Sequence, residues 1–306
     1  MLTCDHYHMP TTLAEALTLW SGAAKGSRLI AGATDILPWA REGRAGDVHL
    51  PELVDVTRID EFAGYAFENG RVRLGARTVY QDFLTDQTLM RSLPCMPHCA
   101  IWFADDQIRE QASVTGNLVN ASPVADGTPA VVALNGEIEL ARLDGDTIVR
   151  RLVPVAEFIE GPGRTQIADD EIATAVILDT ANGYGGSFQK VGQRRSLVIS
   201  VACAAGLVKA DSDGRVFEDV RLALGGVGPS PIRLRDAERA LRGERISHRL
   251  IEQVAQTAAD TVGSRSRQDY RREVVVNFVR AAIEDALVNQ PDVDIKFEDA
   301  KEQADA

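Results

Sequence analysis

The spacing of apolar residues changes repeatedly along this chain, and each change comes after a short stretch. Thr12-x-x-Glu15 reads as a capping box, and behind it Leu13, Ala16, Leu17 and Trp20 recur at helical intervals as far as Gly22. Leu29-Ile30-Ala31 then reads as a strand, Gly32-Ala33-Thr34-Asp35 as a tight turn, and Ile36–Glu42 as a short helix with Pro38 in its first turn. Leu53–Val56 is the next strand, so the opening is βαβ-like. Val72–Ala76 alternates like a strand, Thr78-x-x-Gln81 caps a helix through Leu84, and 97–106 is expected to be helical. Residues 111–128, rich in Ser, Thr, Asn, Gly and Pro, read as an ordered loop before a buried helix at Pro129–Leu134. A hairpin is expected around Asp144-Gly145, and the strands Ser200–Lys209 and Val216–Gly225 flank a turn at Asp211–Gly214. Helices at Ser247–Val262 and Tyr270–Leu287 follow. Strands and helices mixed in this way give an α+β class.

At 306 residues the chain exceeds the size at which single cores stop growing, roughly 250–300 residues, so two domains are expected. A composition shift over 165–185, with Gly183, Gly185 and Gly186, marks the boundary, which divides the chain into 1–178 and 179–288. The polar, acidic end, 289–306, is expected to be a flexible tail. A net charge of -12 argues against nucleic acid or an anionic membrane surface as partner, because phosphate binding needs a basic footprint. No run of about 18 apolar residues is present. Met1–Pro10 lacks the basic and apolar stretches of a secretory leader, and the four scattered cysteines suit no disulfide framework. A reducing, cytoplasmic setting is the expectation. Cys95-x-x-x-Cys99 with His98 has no second ligand pair, so no metal site is expected.

Two turns can carry chemistry. In Leu29-Ile30-Ala31-Gly32-Ala33-Thr34-Asp35 a strand ends at a glycine, and the amides that follow face outward at a helix start. Such a turn can hold a phosphate through N–H donors. It also serves as a plain strand-to-helix connection capped by Thr34 or Asp35, and the Asp35 carboxylate would repel a phosphate. In Ser113-Val114-Thr115-Gly116-Asn117 the glycine allows close backbone approach, while Ser113, Thr115 and Asn117 offer donors. Asp126 could accept from a ribose hydroxyl, or simply cap the helix at Pro129. Together, two such turns and a trailing acid suit a cofactor bearing a pyrophosphate. Neither turn is a Rossmann fingerprint or a P-loop. Gly225-Gly226-Val227-Gly228 leads into Pro229-Ser230-Pro231 rather than a helix and reads as structural.

At these turns the chain resembles the FAD-binding medium subunits of the molybdenum hydroxylases, the xanthine dehydrogenase and carbon monoxide dehydrogenase group. Leu29–Asp35 is similar to that family's LAGGTD turn. Gln107-Ile108-Arg109 with Ala112–Asn117 is similar to its QIRNxGTIGGN, and Pro123–Asp126 to its PaaD. Ser187–Arg194, Leu222–Pro231 and Asp269-Tyr270-Arg271 match three later motifs, so the resemblance spans nearly the whole chain to about residue 288.

The resemblance implies a fold shared with vanillyl-alcohol oxidase. A PCMH-type FAD-binding domain of two α+β subdomains (1–178) would be followed by an α/β CO-dehydrogenase-flavoprotein C-terminal domain (179–288). It implies non-covalent FAD. Leu29, Ile30, Ala31, Gly32, Ala33, Thr34 and Asp35, with Ser113, Val114, Thr115, Gly116 and Asn117, would hold the pyrophosphate through backbone amides. Asp126 would hold the ribose or adenosine side, Ile172 would lie by the adenine, Phe103 against the isoalloxazine, and Lys190 near the flavin ring. The implied partners are a small subunit with 2Fe-2S clusters, a large Mo-pterin subunit, and an external acceptor such as NAD, oxygen or another carrier. No catalytic acid or base is implied in this chain. A stand-alone flavin oxidase of the same fold and a scaffold subunit without FAD are the alternatives. Three departures bear on this. Ala33 replaces the second glycine of the first turn, Thr115 a glycine of the second, and Glu110 an asparagine. If the turns need φ > 0 at 33 or 115, each replacement costs of order 1 kcal/mol. The insertion that carries an extra 4Fe-4S cluster in one branch is missing, so none is expected.

Overall fold

The computed structural model describes residues 2–41, 48–194, 198–263 and 266–301. β1 (Leu2–His8), β2 (Arg28–Ile30) and β3 (Val48–Asp55) form a parallel sheet in the order β1-β3-β2, with α1 (Leu13–Ser21) and α2 (Ile36–Arg41) between its strands. Thr12 caps α1 by accepting from the Glu15 amide, and Gly22 closes it. Glu15 in turn accepts from the Thr11 amide, one residue earlier than a capping box requires.

β4 (Tyr65–Glu68) and β5 (Arg71–Gly75) begin a second sheet. Short helices then run in series: α3 (Asp82–Thr85), α4 (Gln87–Ser92), α5 (Cys95–Trp102), α6 (Asp106–Arg109), α7 (Val114–Asn120) and α8 (Gly127–Ala133). β6 (Glu137–Asp144) and β7 (Thr147–Pro154) make the expected hairpin. α9 (Val155–Phe158), the ribbon β8 (Ile159–Gly161) and β9 (Arg164–Thr165), and β10 (Ile172–Asp179) complete the unit. Its main sheet is antiparallel throughout, in the order β4-β5-β10-β6-β7.

The remaining strands, β11 (Gly185–Gly192), β12 (Ser200–Ala210), β13 (Phe217–Gly225) and β14 (Ile232–Arg233), form an antiparallel sheet in sequence order. α10 (Arg235–Leu241), α11 (His248–Gln256) and α12 (Gln268–Val288) contribute the helical side of its core. The C-terminal domain is therefore a two-layer one, helices on an antiparallel sheet. β12 explains how it meets the rest of the chain. Ala202, Ala204, Val208 and Ala210 face the helices, while Cys203, Ala205 and Leu207 join the core that holds α5 and α8. A strand buried on both faces needs apolar residues at successive positions, and small ones let both layers approach. Gly186 on β11 shows how close they come: a Cβ there would stand 2.2 Å from the backbone carbon of Pro94, at the start of α5.

Several expectations are corrected. The expected loop 111–128 contains α7 and the start of α8, because Val114 and Leu118 are buried and anchor a helix that its own composition does not favour. The helix expected over 97–106 breaks after Trp102 and resumes as α6, and the helix beginning at Ser247 gives way to a 3-10 segment at Thr257–Thr261. The first residues, read only for a leader, form β1. The acidic end is held down as far as it is described. The Phe297 ring stacks on His248 at 4.0 Å, the Lys296 amide donates to Gly214, and Asp299 accepts from the His248 and Arg249 amides at the start of α11. Residues 302–306 of that end lie outside the described residues. Among the described residues no helix is long and apolar enough to cross a membrane.

Candidate functional site

The turn after β2 and the segment leading into α7 meet directly. A Cβ on Gly32 would stand 1.8 Å from the carbonyl oxygen of Gln111 and 2.5 Å from its carbon. The contact is backbone against backbone, so position 32 tolerates no side chain while the two segments hold this distance. The second segment is fixed from its other side by residues 78–80. The Val114 amide donates to Thr78 at 3.0 Å, and the Tyr80 amide to Ala112 at 3.1 Å. A cleft of about 420 Å³ opens at the junction, lined by Ile30–Ala33, Gln111 and Ser113 together with Asp55 and Arg77.

Backbone donors are available there. Among the described residues, the amides of Gly32, Ala33, Thr34, Asp35 and Thr115 meet no acceptor. The Gly116 amide is taken by the Ser113 hydroxyl at 3.1 Å, and the Asn117 amide by the Ser113 carbonyl. α2 and α7 span only six and seven residues, so their dipoles are short and the donors act as individual turn amides. Burial pushes the Asp35 carboxyl above its ordinary value.

The two departures in these turns differ in consequence. Ala33 has φ +57°, the left-handed region. Thr115 lies within α7 and is not among the residues with positive φ. Only position 33 is strained. Ala33→Gly is expected to stabilise the folded chain by up to about 1 kcal/mol, since relief of left-handed alanine exceeds the added glycine entropy. The melting temperature should rise by roughly 2 °C. A fall would mean that the Ala33 methyl is held by packing that outweighs the strain.

A second group of candidate residues meets where α5, α8 and the C-terminal sheet come together. Asp126 is buried, and Lys190 Nζ donates to its Oδ2 at 2.5 Å while the Ser200 hydroxyl donates to Oδ1 at 2.5 Å. Lys190 also donates to the Trp102 carbonyl at 2.9 Å, next to Phe103. Burial raises the Asp126 carboxyl, and Lys190 and Ser200 offset part of that rise. Both carboxylate oxygens are thus engaged by groups of the C-terminal domain, and Asp126 lines no part of the cleft at Gly32. Cys95 and Cys99, on one face of α5, are buried and donate to the carbonyls of Ala130 and Asp126.

Tyr80 links the two groups, and nothing in the sequence singled it out. Its ring stacks on Phe103 at 3.8 Å and 11°, and its hydroxyl donates to Asn117 Oδ1 at 2.9 Å. Contacts therefore run from α7 through Tyr80 and Phe103 to Trp102, Lys190 and Asp126. Arg109 supports this path by donating to the Phe103 carbonyl at 2.9 Å. Ile172 lies apart from both groups. It is 2% exposed, pairs with Ala141, and belongs to the core against which Leu29 and Ala31 pack, beneath the turn. Val114 is likewise buried, and its side chain belongs to the core. Gly226 has φ +78°, and Arg271 donates to its carbonyl at 2.6 Å, so the later glycine run braces α12 against the sheet.

Known proteins resemble this chain over both of its domains. Residues 3–179 match the family described as the FAD binding domain in molybdopterin dehydrogenase, and residues 187–286 match the CO dehydrogenase flavoprotein C-terminal domain. The xanthine dehydrogenase FAD-binding subunit of Escherichia coli O157:H7 is 27% identical over 289 residues, covering 92% of this chain and 95% of that protein. The glyceraldehyde dehydrogenase medium chain of Sulfolobus acidocaldarius is 28% identical over 276 residues, covering 88% and 93%. The structure of carbon monoxide dehydrogenase from Hydrogenophaga pseudoflava aligns with a TM-score of 0.84 at 25% identity, covering 93% of this chain and 98% of that one. The first of these matches alone spans more than half of the chain, which therefore belongs to the FAD-binding medium subunits of the molybdenum hydroxylase family.

Proposed function

We propose that this chain is the electron-relaying flavoprotein of a three-part complex. It receives electrons from 2Fe-2S clusters of a small subunit, which draw them from a Mo-pterin site in a large subunit, and it passes them to an external acceptor. The observation that carries this reading is the backbone contact of Gly32 with Gln111, which joins the two turns beside amides without acceptors. A cradle that a Cβ would fill, with several free N–H donors, fits the diphosphate of FAD. When bound, FAD supplies the chemistry of accepting and releasing electrons; the chain's residues supply position and charge.

Of the two turns, the amides of 32–35 and 115 would hold the diphosphate, while those of Gly116 and Asn117 are already taken by Ser113. Phe103, backed by Tyr80, offers a flat apolar surface for the flavin ring. Lys190 brings a positive charge beside it. Asp126 serves here as the counter-ion that places Lys190, in preference to a ribose acceptor, because both its oxygens are engaged. Ile172 supports the turn from below rather than meeting the adenine.

The visible spectrum of the purified chain tests this, with the released chromophore identified after denaturation. About one FAD per chain is expected, and tagged chain should retain the iron–sulfur and molybdenum subunits from its own cells. A colourless protein that takes up no added FAD would sink the relay reading and favour a scaffold role.

A further inference from the structure

The cleft between the two turns is short of positive charge for the ligand proposed for it. Of the described side chains that line it, Asp55 and Glu110 are acidic and Arg77 is the one cation. Asp35 follows directly in the first turn, and Glu110 stands where the family's motif has asparagine. A diphosphate adds negative charge to a site whose own balance is acidic. Backbone amides satisfy its oxygens but supply no net charge.

Arg77 is placed to supply that charge. It follows β5 after Ala76, and its amide donates to the Phe62 carbonyl at 2.9 Å, which fixes its backbone. Thr78 and Tyr80, just beyond it, are hydrogen-bonded to Val114 and Ala112, so Arg77 is tied to the segment that enters α7. Its side chain is exposed and lines the cleft with Gly32, Ala33 and Ser113. No carboxylate of a described residue lies within ion-pair distance of it, whereas Arg71, Arg73 and Arg109 all have carboxylate partners.

We propose that Arg77 is the countercharge for the FAD diphosphate in this chain, and that it sets the preference for flavins that carry a diphosphate. The proposal rests on the FAD reading above. A guanidinium suits the task because its fixed fork can donate to two phosphate oxygens at once. Arg77 falls outside the turns that carry the family resemblance, and it would offset Glu110, the acidic departure from the second motif.

Titrations of the full chain, stripped of cofactor, with FAD, ADP and riboflavin as separate probes test the assignment. Arg77→Gln should weaken FAD and ADP by roughly tenfold or more, the range for a charge-assisted hydrogen bond, and leave riboflavin unchanged. Arg77→Lys should recover part of the ADP affinity, and the dependence of ADP binding on salt should flatten in Arg77→Gln. Equal ADP affinity in wild type and Arg77→Gln, with FAD still bound, overturns the role of Arg77 and leaves the FAD reading intact. Wild-type chain that binds neither FAD nor ADP overturns both. A matching loss for riboflavin shows that Arg77 acts through the fold and likewise overturns the countercharge role.

Discussion

Gly32→Ala should yield a folded chain that retains less than about a tenth of its FAD. The argument is steric. The added carbon would sit 1.8 Å from the Gln111 oxygen and 2.5 Å from the Gln111 carbon, and both belong to backbone. No rotamer can relieve the clash, so the turns must separate by more than about 1 Å. Overpacking of this kind costs about 1–3 kcal/mol, which a chain of this size can absorb without unfolding. The amides of 32–35 and 115 would then no longer converge on one diphosphate, and binding would suffer more than stability. Gly116→Ala is the matched control. Gly116 lies inside α7, and a Cβ there meets only the Ser113 hydroxyl, at 2.9 Å. It should keep most of its flavin. The readout is flavin per chain from the absorbance spectrum, with far-ultraviolet circular dichroism to check the fold. Full flavin content in folded Gly32→Ala would show that FAD lies elsewhere.

The contrast between these two glycines marks where reading the sequence stops. Both turns stand out locally, because a glycine after a strand and a glycine among small polar residues are visible to the eye. What each glycine does depends on its neighbour in space. Gly32 faces Gln111, far along the chain, while Gly116 is an ordinary helical residue whose motif position suggested a phosphate turn. The same limit explains the mistaken loop at 111–128. Val-Thr-Gly-Asn has poor helix propensity, and α7 exists because Val114 and Leu118 reach the core and Ser113 caps it. Local signals served well where local forces decide. The Thr12 cap, the Asp144-Gly145 hairpin and the turn between β12 and β13 lie where their sequence places them. Polar β1, with the burial of its residues alternating only weakly, shows no such signal and is a strand because β3 pairs with it.

Site residues divide along the same line. Arg77 and Tyr80 belong to no motif, and their significance comes from the cleft and the stack they enter. Asp126 looks like a free acid after a loop, and no local pattern reveals that a lysine 64 residues away meets it. Ile172 shares its core with Leu29, a contact across the chain that no local pattern announces.

That lysine carries the second large effect. Lys190→Met should destabilise the chain by about 3 kcal/mol at neutral pH, because removal of one member of a buried pair leaves the other charged and desolvated. The side chains of Lys190 and Asp126 are only 1% and 10% exposed, so water does little to replace the lost partner. Ser200 remains as a donor to Asp126 and keeps the loss from being larger. The pH dependence follows from Asp126, whose carboxyl is raised above its ordinary value of 3.8 by burial. Removing Lys190 raises it further. Below the ordinary value both folded and unfolded chains hold the proton, and Lys190→Met should lie closest to wild type. As pH climbs from there to the raised folded value, the unfolded chain releases the proton first and the mutant loses stability; above the folded value the loss is complete. Denaturant melts at pH 5 and pH 8 should therefore show the larger deficit at pH 8. Adding Asp126→Asn to Lys190→Met removes the uncompensated charge, and this double variant should recover much of the loss and lose its pH dependence. An equal deficit at both pH values, unrelieved by Asp126→Asn, would mean that Lys190 stabilises the domain junction by packing its stem and not by pairing with Asp126.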